Sequence, residues 1–173
     1  MSIQRVGEFE KVSYAQFYKD MKDGFGAIYS DFDINRIYEN IQIPKRATTG
    51  SAGFDFKMPF AVSLMPKSNA KIPTGIRAKI DEGWFLAGLP RSGLGFKYRL
   101  QLDNTMGVID SDYYRSSNEG HIFAKITNDT NEDKTVHLNE GDGFMQGIFI
   151  PYGITYSDDA DGVRDGGMGS TGA

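Results

Sequence analysis

Between Ile41 and Pro151, short apolar stretches alternate with turn residues, and this pattern limits the possible folds more than any other feature of the sequence. About ten stretches have the length and composition of strands, and no helical periodicity separates them. They cover residues 53–58, 61–64, 70–73, 75–80, 84–89, 98–102, 107–110, 120–127, 135–138 and 144–151. Many short strands without intervening helices indicate an all-β fold, either a sandwich or a barrel.

The residues before Ile41 follow a helical pattern instead. Ser13 and Gln16 have the spacing of a capping box. Aromatic or apolar side chains then recur at helical spacing, at positions 14, 17, 18 and 21. We expect one short helix over about residues 13–22 and a weaker helical turn over 33–40. This N-terminal extension is expected to pack against the flank of the domain, with partner binding as the alternative role.

The chain after Tyr152 is first acidic and then rich in glycine. Such a composition is typical of a flexible arm. The sequence therefore divides into three parts. They are an N-terminal extension of residues 1–40, a β domain of residues 41–157 and a C-terminal arm of residues 158–173.

The overall composition excludes several kinds of site. The 173 residues carry a net charge of −4, which argues against stable nucleic-acid binding because a phosphate backbone needs a basic face. The chain has no cysteine, which excludes disulfides, thiolate zinc sites and cysteine nucleophiles. His121 and His137 alternate with aliphatic residues in predicted strands, so both side chains are expected to face solvent. No apolar run has the length of a signal peptide or a membrane span, and we expect a cytoplasmic location, or the host cytoplasm if the protein is viral.

Five polar stretches interrupt the strand pattern in a defined order. They are Ala52-Gly-x-Asp55, Pro90-Arg-Ser-Gly93, Gly107-Val-Ile-Asp-x-Asp-Tyr113, Gly141-Asp-x-x-x-Gln146 and the terminal Arg164…Gly-Met-Gly-Ser-Thr-Gly172. In the third stretch, an acid follows two β-branched residues and precedes an aromatic ring, an arrangement that suits a concave site. The second stretch offers a guanidinium, a hydroxyl and backbone N–H groups, which suit an anion. The glycine spacing of the last stretch matches a dinucleotide fingerprint, but no helix can follow it, so that interpretation fails.

In their order and spacing, the five stretches resemble the five motifs of the trimeric deoxyuridine triphosphatases, from about Ile43 to Gly172. The resemblance implies a jelly-roll-like β-barrel of the β-clip type, with the short helical extension and the flexible glycine-rich arm added at its ends. It also implies a homotrimer whose active sites are shared between subunits. The implied reaction is magnesium-dependent hydrolysis of dUTP to dUMP and pyrophosphate by attack of water at the α-phosphate. This reaction limits uracil incorporation into DNA and supplies dUMP for thymidylate synthesis.

The resemblance assigns catalytic roles to three residues. Asp110 matches the acid that activates the attacking water, a task that suits a carboxylate held beside the substrate. Asp55 matches the acid that positions Mg²⁺ through a coordinated water, so no side chain is expected to bind the metal directly. Gln146 matches the glutamine near the α-phosphate.

The remaining assigned residues are expected to bind the substrate. The phosphate loop is matched by Arg91, Ser92 and Gly93. Tyr113 matches the ring that lies against the deoxyribose and excludes a 2′-hydroxyl. Uracil is expected to be read by the segment that contains Asn104, Gly107, Val108 and Ile109. The tail that folds over the triphosphate is matched by Arg164, Met168, Gly169, Ser170 and Thr171.

The sequence departs from the family pattern at three places. Met168 stands where an aromatic ring usually stacks on the uracil, and Gly143 stands where an arginine is common. The third motif continues into a long loop over residues 114–120.

Two other functions compete with this one. The first is a dCTP deaminase, a class of enzyme that resembles this family in its fold and in its trimeric assembly. The third and fifth motifs of the sequence favour the triphosphatase. A nucleotide-dependent interaction protein is the second alternative, with its protein partner bound at the N-terminal extension or at the 114–120 loop.

We predict that Met168→Phe lowers the KM for dUTP. The reason is that stacking of a base on an aromatic ring is worth about 1–3 kcal/mol, and a thioether does not stack in this way. Steady-state kinetics of the two proteins checks this. An unchanged KM would show that residue 168 contributes little to binding.

Overall fold

The computed structural model describes residues 3–164 and residue 166, and most of its regular structure is β-strand. The strands are β1 (Gly7–Lys11), β2 (Lys45–Arg46), β3 (Phe54–Lys57), β4 (Val62–Leu64), β5 (Asn69–Pro73), β6 (Ile76–Ile80), β7 (Trp84–Pro90), β8 (Leu100–Leu102), β9 (Gly107–Ile109), β10 (Phe123–Asn128), β11 (Val136–Leu138) and β12 (Gly143–Pro151). The helices are α1 (Tyr14–Phe25), α2 (Asp31–Asn40) and α3 (Ser92–Tyr98), with a 3₁₀ turn at Ser111–Arg115.

The largest sheet has five strands in the order β2-β3-β12-β7-β9, and every pairing in it is antiparallel. Three smaller sheets, β1-β6, β5-β10-β8 and β4-β11, complete the β domain. Side chains such as Ile72, Leu86 and Phe144 are fully buried in the core. All ten strands predicted between residues 53 and 151 are present, as β3 to β12. The prediction of an all-β fold is confirmed.

The N-terminal extension contains more structure than the one short helix predicted. Helix α1 runs through Gly24 to Phe25, and α2 is a full helix rather than a weak turn. Its start has a complete capping box, in which the Ser30 hydroxyl and the Asp33 carboxylate each accept a hydrogen bond from the other residue's backbone N–H. Strand β1 was not predicted, because Phe9 is its only large apolar residue and a single apolar residue shows no alternation. The strand predicted from residue 98 begins two residues later because α3 occupies the segment before it.

The extension packs against the β domain, as expected from its aromatic face. Phe17, Met21, Ile34 and Ile37 have no exposed surface. The Phe9 ring contacts the rings of Phe54, Phe56 and Phe149, with centroid distances of 5.2–5.6 Å. Burial of this kind makes the extension part of the folded core rather than an appendage.

Within residues 3–164 and 166, none of the helices combines the length and the apolar character that a membrane span requires.

We predict that Ile34→Ala lowers the free energy of unfolding by about 2–5 kcal/mol, because it opens a cavity in a packed core. The matched control is Phe32→Ala on the same helix, where the side chain is 78% exposed. Exposed substitutions of this kind usually change stability by no more than about 0.5 kcal/mol. Chemical denaturation at one fixed protein concentration checks both variants. Equal stability of Ile34→Ala and wild type would show that the extension is not part of the cooperative fold.

Candidate active site

Antiparallel pairing in the large sheet brings three of the predicted residues together. Asp55 on β3 lies opposite Gln146 on β12, and the residue before Gln146 lies opposite Pro90 at the end of β7. Arg91 follows β7, and its Nε atom lies 3.3 Å from Asp55 Oδ1. The Gln146 amide donates a hydrogen bond to the Pro90 carbonyl at 3.5 Å. We call Asp55, Arg91 and Gln146 the Arg91 group.

The space beside Arg91 accounts for one departure from the family pattern. Arg91 Nη1 donates a hydrogen bond to the Gly143 carbonyl at 3.2 Å. A Cβ atom added to Gly143 would lie 2.3 Å from the same nitrogen, so a side chain there would displace the guanidinium. Glycine at 143 therefore leaves room for Arg91 rather than for a second arginine. Ser92 and Gly93 begin helix α3, and both are exposed.

A second set of predicted residues meets at the end of β9. Asp110 follows this strand directly and begins the 3₁₀ turn that carries Tyr113. Arg164 Nη2 donates a hydrogen bond to Asp110 Oδ2 at 2.5 Å. The Arg164 guanidinium also lies over the Tyr113 ring, 5.5 Å from the ring centroid. We call Asp110, Tyr113 and Arg164 the Asp110 group.

Arg164 is held by a second carboxylate as well. Its Nε atom lies 3.1 Å from Asp112 Oδ1, which is an ion pair without hydrogen-bond geometry. The Arg164 side chain is 14% exposed, whereas that of Asp110 is 44% exposed. The resemblance assigns Arg164 to the γ-phosphate, but the structure places it on the predicted catalytic acid and on the tyrosine of its own chain.

The sheet register separates the two groups. Leu86 of β7 lies opposite Ile109, and Gly88 lies opposite Gly107. Asp110 therefore extends past one end of the β7–β9 pairing, and Arg91 extends past the other. About six residues at 3.3 Å per residue separate them along β7, a span of about 20 Å. One copy of the chain does not bring the Arg91 group and the Asp110 group together.

The predicted uracil-binding segment comprises Asn104, in the turn between β8 and β9, and the strand β9 itself. Gly107 lies against the neighbouring strand, because a Cβ atom added to it would be 3.8 Å from Gly88 Cα. The same Cβ atom would be 3.8 Å from Nδ2 of the Asn104 side chain. Val108 is exposed and Ile109 is buried. Asn104 also lines a cavity of about 620 Å³ with Asn118 and Phe123. Backbone groups and an amide side chain are thus available at the edge of a cavity.

The loop at residues 114–121 contains contacts that the sequence did not reveal. The Tyr113 hydroxyl donates a hydrogen bond to the His121 carbonyl at 2.8 Å and accepts one from Asn118 Nδ2 at 2.8 Å. Glu119 accepts hydrogen bonds from both the backbone N–H and the hydroxyl of Ser13, each at 2.7 Å. The Ser13 hydroxyl caps α1 by accepting a hydrogen bond from Gln16 N–H, but the Ser13 N–H donates to Glu119 and not to the Gln16 side chain as a capping box requires.

The prediction that His121 faces solvent is wrong, whereas His137 is exposed as expected. The His121 ring is fully buried, because it precedes β10 and lies against Phe17 and Asp20 of helix α1. Gly75 N–H donates to His121 Nε2 at 2.8 Å, so the ring proton is on Nδ1 and points to Asp20 Oδ2 at 2.6 Å. Burial raises the pKa of the Asp20 carboxyl, but the hydrogen bonds from His121 and Gln16 outweigh it and leave the pKa below its usual value.

Four residues of the predicted tail are not among the described residues. Met168, Gly169, Ser170 and Thr171 lie outside the described residues. Among residues 3–164 and 166, no three histidine, aspartate or glutamate side chains form a cluster that could hold a metal ion.

Comparison with known proteins identifies the family. The family model described as dUTPase matches residues 39–172. Deoxyuridine 5'-triphosphate nucleotidohydrolase of Lactococcus lactis is 40% identical over 147 residues, which cover 82% of this chain and 97% of that protein. The crystal structure of the dUTPase from Streptococcus mutans has a TM-score of 0.62 and 34% identity, covering 85% of this chain and 97% of that one. A dUTPase of staphylococcal bacteriophage 80alpha with dUPNHPP shares the fold, with a TM-score of 0.59 and 22% identity over 78% of this chain and 94% of that one.

Proposed function

The chain belongs to the dUTPase family, and we propose that Asp110 is the base that activates water for the hydrolysis of dUTP. The protein is a dUTP diphosphatase, and it converts dUTP to dUMP. The observation that carries the assignment of Asp110 is its position at the end of β9, half-exposed and directly before the turn with Tyr113.

The proposed chemistry needs one proton acceptor and one bond cleavage. Asp110 orients a water molecule and accepts its proton as the oxygen attacks the α-phosphorus. The bond between the α-phosphorus and the bridging oxygen breaks, and pyrophosphate leaves. A positioned general base typically contributes about 10²–10⁴-fold to the rate.

Arg164 has to leave Asp110 for this reaction to proceed. Its hydrogen bond to Oδ2 occupies one oxygen of the proposed base, and its guanidinium covers the ring that would meet the sugar. A triphosphate offers Arg164 an alternative partner, since guanidinium groups bind phosphate oxygens in a bidentate manner. We propose that substrate draws Arg164 from Asp110 to the phosphates, which uncovers both Asp110 and Tyr113.

The Arg91 group is proposed to hold the triphosphate. Arg91, Ser92 and Gly93 supply a positive charge, a hydroxyl and backbone N–H groups, and Gln146 lies beside them. The oxygen ligands that Mg²⁺ prefers are available on the phosphates, with the Asp55 carboxylate positioned to accept a hydrogen bond from a metal-bound water. When bound, Mg²⁺ would neutralise phosphate charge. Ser170, Thr171 and the neighbouring Met168 and Gly169 are proposed to cover the nucleotide.

Substrate selectivity is proposed to have two separate sources. The Tyr113 ring excludes the 2′-hydroxyl of ribonucleotides by contact with the sugar. Groups of Asn104, Gly107, Val108 and Ile109 read the uracil edge, and cytosine would leave buried polar groups unpaired, at about 1–3 kcal/mol each. Recognition of uracil in preference to cytosine does not favour the alternative function as a dCTP deaminase.

The separation of the two groups supports an assembly with shared sites. The dUTPase family is trimeric, and in one chain the Arg91 group and the Asp110 group lie at opposite ends of β7. We propose that the Arg91 group of one subunit faces the Asp110 group of another in a homotrimer. We propose a cytoplasmic location because deoxynucleotides are used there, and a protein partner at the extension or at the 114–120 loop stays a prediction.

We predict that Asp110→Asn retains dUTP binding and loses at least about 100-fold in kcat, because an amide does not accept the proton. Isothermal titration with a non-hydrolysable dUTP analogue measures binding, and pyrophosphate release measures turnover. Asp133→Asn, an exposed substitution on the far loop, serves as the matched control and should behave as wild type.

The same assay tests the substrate. Wild-type protein is expected to release pyrophosphate from dUTP in the presence of Mg²⁺ and to release no ammonia from dCTP. Turnover of Asp110→Asn at the wild-type rate, or ammonia from dCTP, would contradict the proposal.

A further inference from the structure

Tyr113 is held at its hydroxyl by the loop that follows it. The hydroxyl donates to the His121 carbonyl and accepts from Asn118 Nδ2, both at 2.8 Å. The side chain is 1% exposed. Since both bonds come from residues 118–121, the position of this loop fixes the far end of the ring.

The loop also packs against the backbone of Tyr113. Gly120 has a φ of +69°, and a Cβ atom added there would lie 2.7 Å from the Tyr113 carbonyl oxygen and 2.8 Å from Tyr114 Cα. Only glycine fits both this conformation and this approach. A displacement of the loop is therefore transmitted to the ring at two points, the hydroxyl and the main chain.

The N-terminal extension anchors this loop at three places. Tyr114 donates a hydrogen bond to Glu10 at 2.8 Å. Glu119 binds the backbone N–H and the hydroxyl of Ser13. His121 donates to Asp20 at 2.6 Å. These anchors lie at both ends of the loop and are spread from β1 to the middle of α1.

The anchors at Asp20 and Glu119 are charged groups held in one arrangement. Burial raises the pKa of Glu119, but its hydrogen bonds with Ser13 lower it by more, so the carboxylate stays ionised at neutral pH. The Gly75 N–H bond to Nε2 fixes the His121 tautomer and with it the direction of the bond to Asp20. Together with the two short bonds from Ser13 to Glu119, these contacts restrain both the start and the end of the segment from Glu119 to His121.

We propose that Asp20, Ser13 and Glu119 are positioning residues, through which the N-terminal extension sets the discrimination between deoxyribose and ribose. The inference rests on the proposed function, in which the Tyr113 ring meets the sugar. Exclusion of one hydroxyl requires the ring to be held within a fraction of an ångström, and the loop supplies that restraint only while it is anchored. Base recognition is assigned to Asn104 and Gly107–Ile109, whereas the anchor bonds go to Tyr114, Glu119 and His121.

The test measures kcat/KM for dUTP, UTP and dCTP with Asp20→Ala and Glu119→Ala. The ratio of dUTP to UTP is expected to fall roughly tenfold in each variant, less than the ~100-fold that a 1 Å misplacement can cost. The ratio of dUTP to dCTP is expected to remain unchanged. Asp20→Asn, whose amide oxygen still accepts from His121, should recover most of the sugar discrimination. The matched control is Asp23→Ala on the same helix, where the carboxylate is exposed.

Three further results complete the test. Thermal unfolding identifies a variant that does not fold, and in that case Glu119→Gln decides by the same ratio, with a smaller fall expected. Tyr113→Leu separates the inference from its premise. If Tyr113→Leu leaves the ratio of dUTP to UTP unchanged, the proposed role of the ring fails. If Tyr113→Leu lowers the ratio while the folded Asp20→Ala and Glu119 variants match wild type, the positioning role alone is overturned.

Discussion

The pairing of β7 with β12 on one side and β9 on the other decides where the chemistry of this protein lies. A shift of one residue in either pairing would turn the side chains of a strand to the opposite face. In the observed register, β12 brings Gln146 beside Asp55 and Arg91 at one end of β7, and β9 carries Asp110 to the other end. The sheet thus separates the Arg91 group, which we propose to bind phosphate, from the Asp110 group, which carries the proposed base. In the proposed assembly, a complete site combines two copies of the chain.

The N-terminal extension contacts the loop that follows Tyr113. Its buried side chains join the core of the β domain, and its polar residues meet the loop after Tyr113 at Glu10, Ser13 and Asp20. Residues 1–38 lie outside the matched family region. They contact the 114–120 loop, which the resemblance marks as longer than usual, and this contact gives a physical reason for the presence of both features in one chain.

Much of this structure was predictable from local patterns. Alternation or short apolar runs between turn residues located all ten strands from β3 to β12, although β7 buries three consecutive residues and therefore does not alternate. Alternation could not reveal that α1 covers His121, since a solvent-facing position and a helix-covered position have the same period. The glycine content of Ser92–Tyr98 hid helix α3. The contact of Arg164 with Asp110 joins residues 54 positions apart and depends on the path of the chain after β12, which no local pattern encodes.

The claim that each site combines groups from two copies is tested most directly by mixing two inactive variants. Asp110→Asn and Arg91→Ala subunits carrying different tags are co-expressed, and the mixed assemblies are purified through both tags. In a symmetric trimer with shared sites, every mixed assembly leaves about one third of its sites with both groups intact. The account therefore predicts pyrophosphate release from dUTP at up to about one third of the wild-type rate. Activity of the mixed assemblies no higher than that of the separate variants would contradict it, because a site built within one chain would always contain one of the two substitutions.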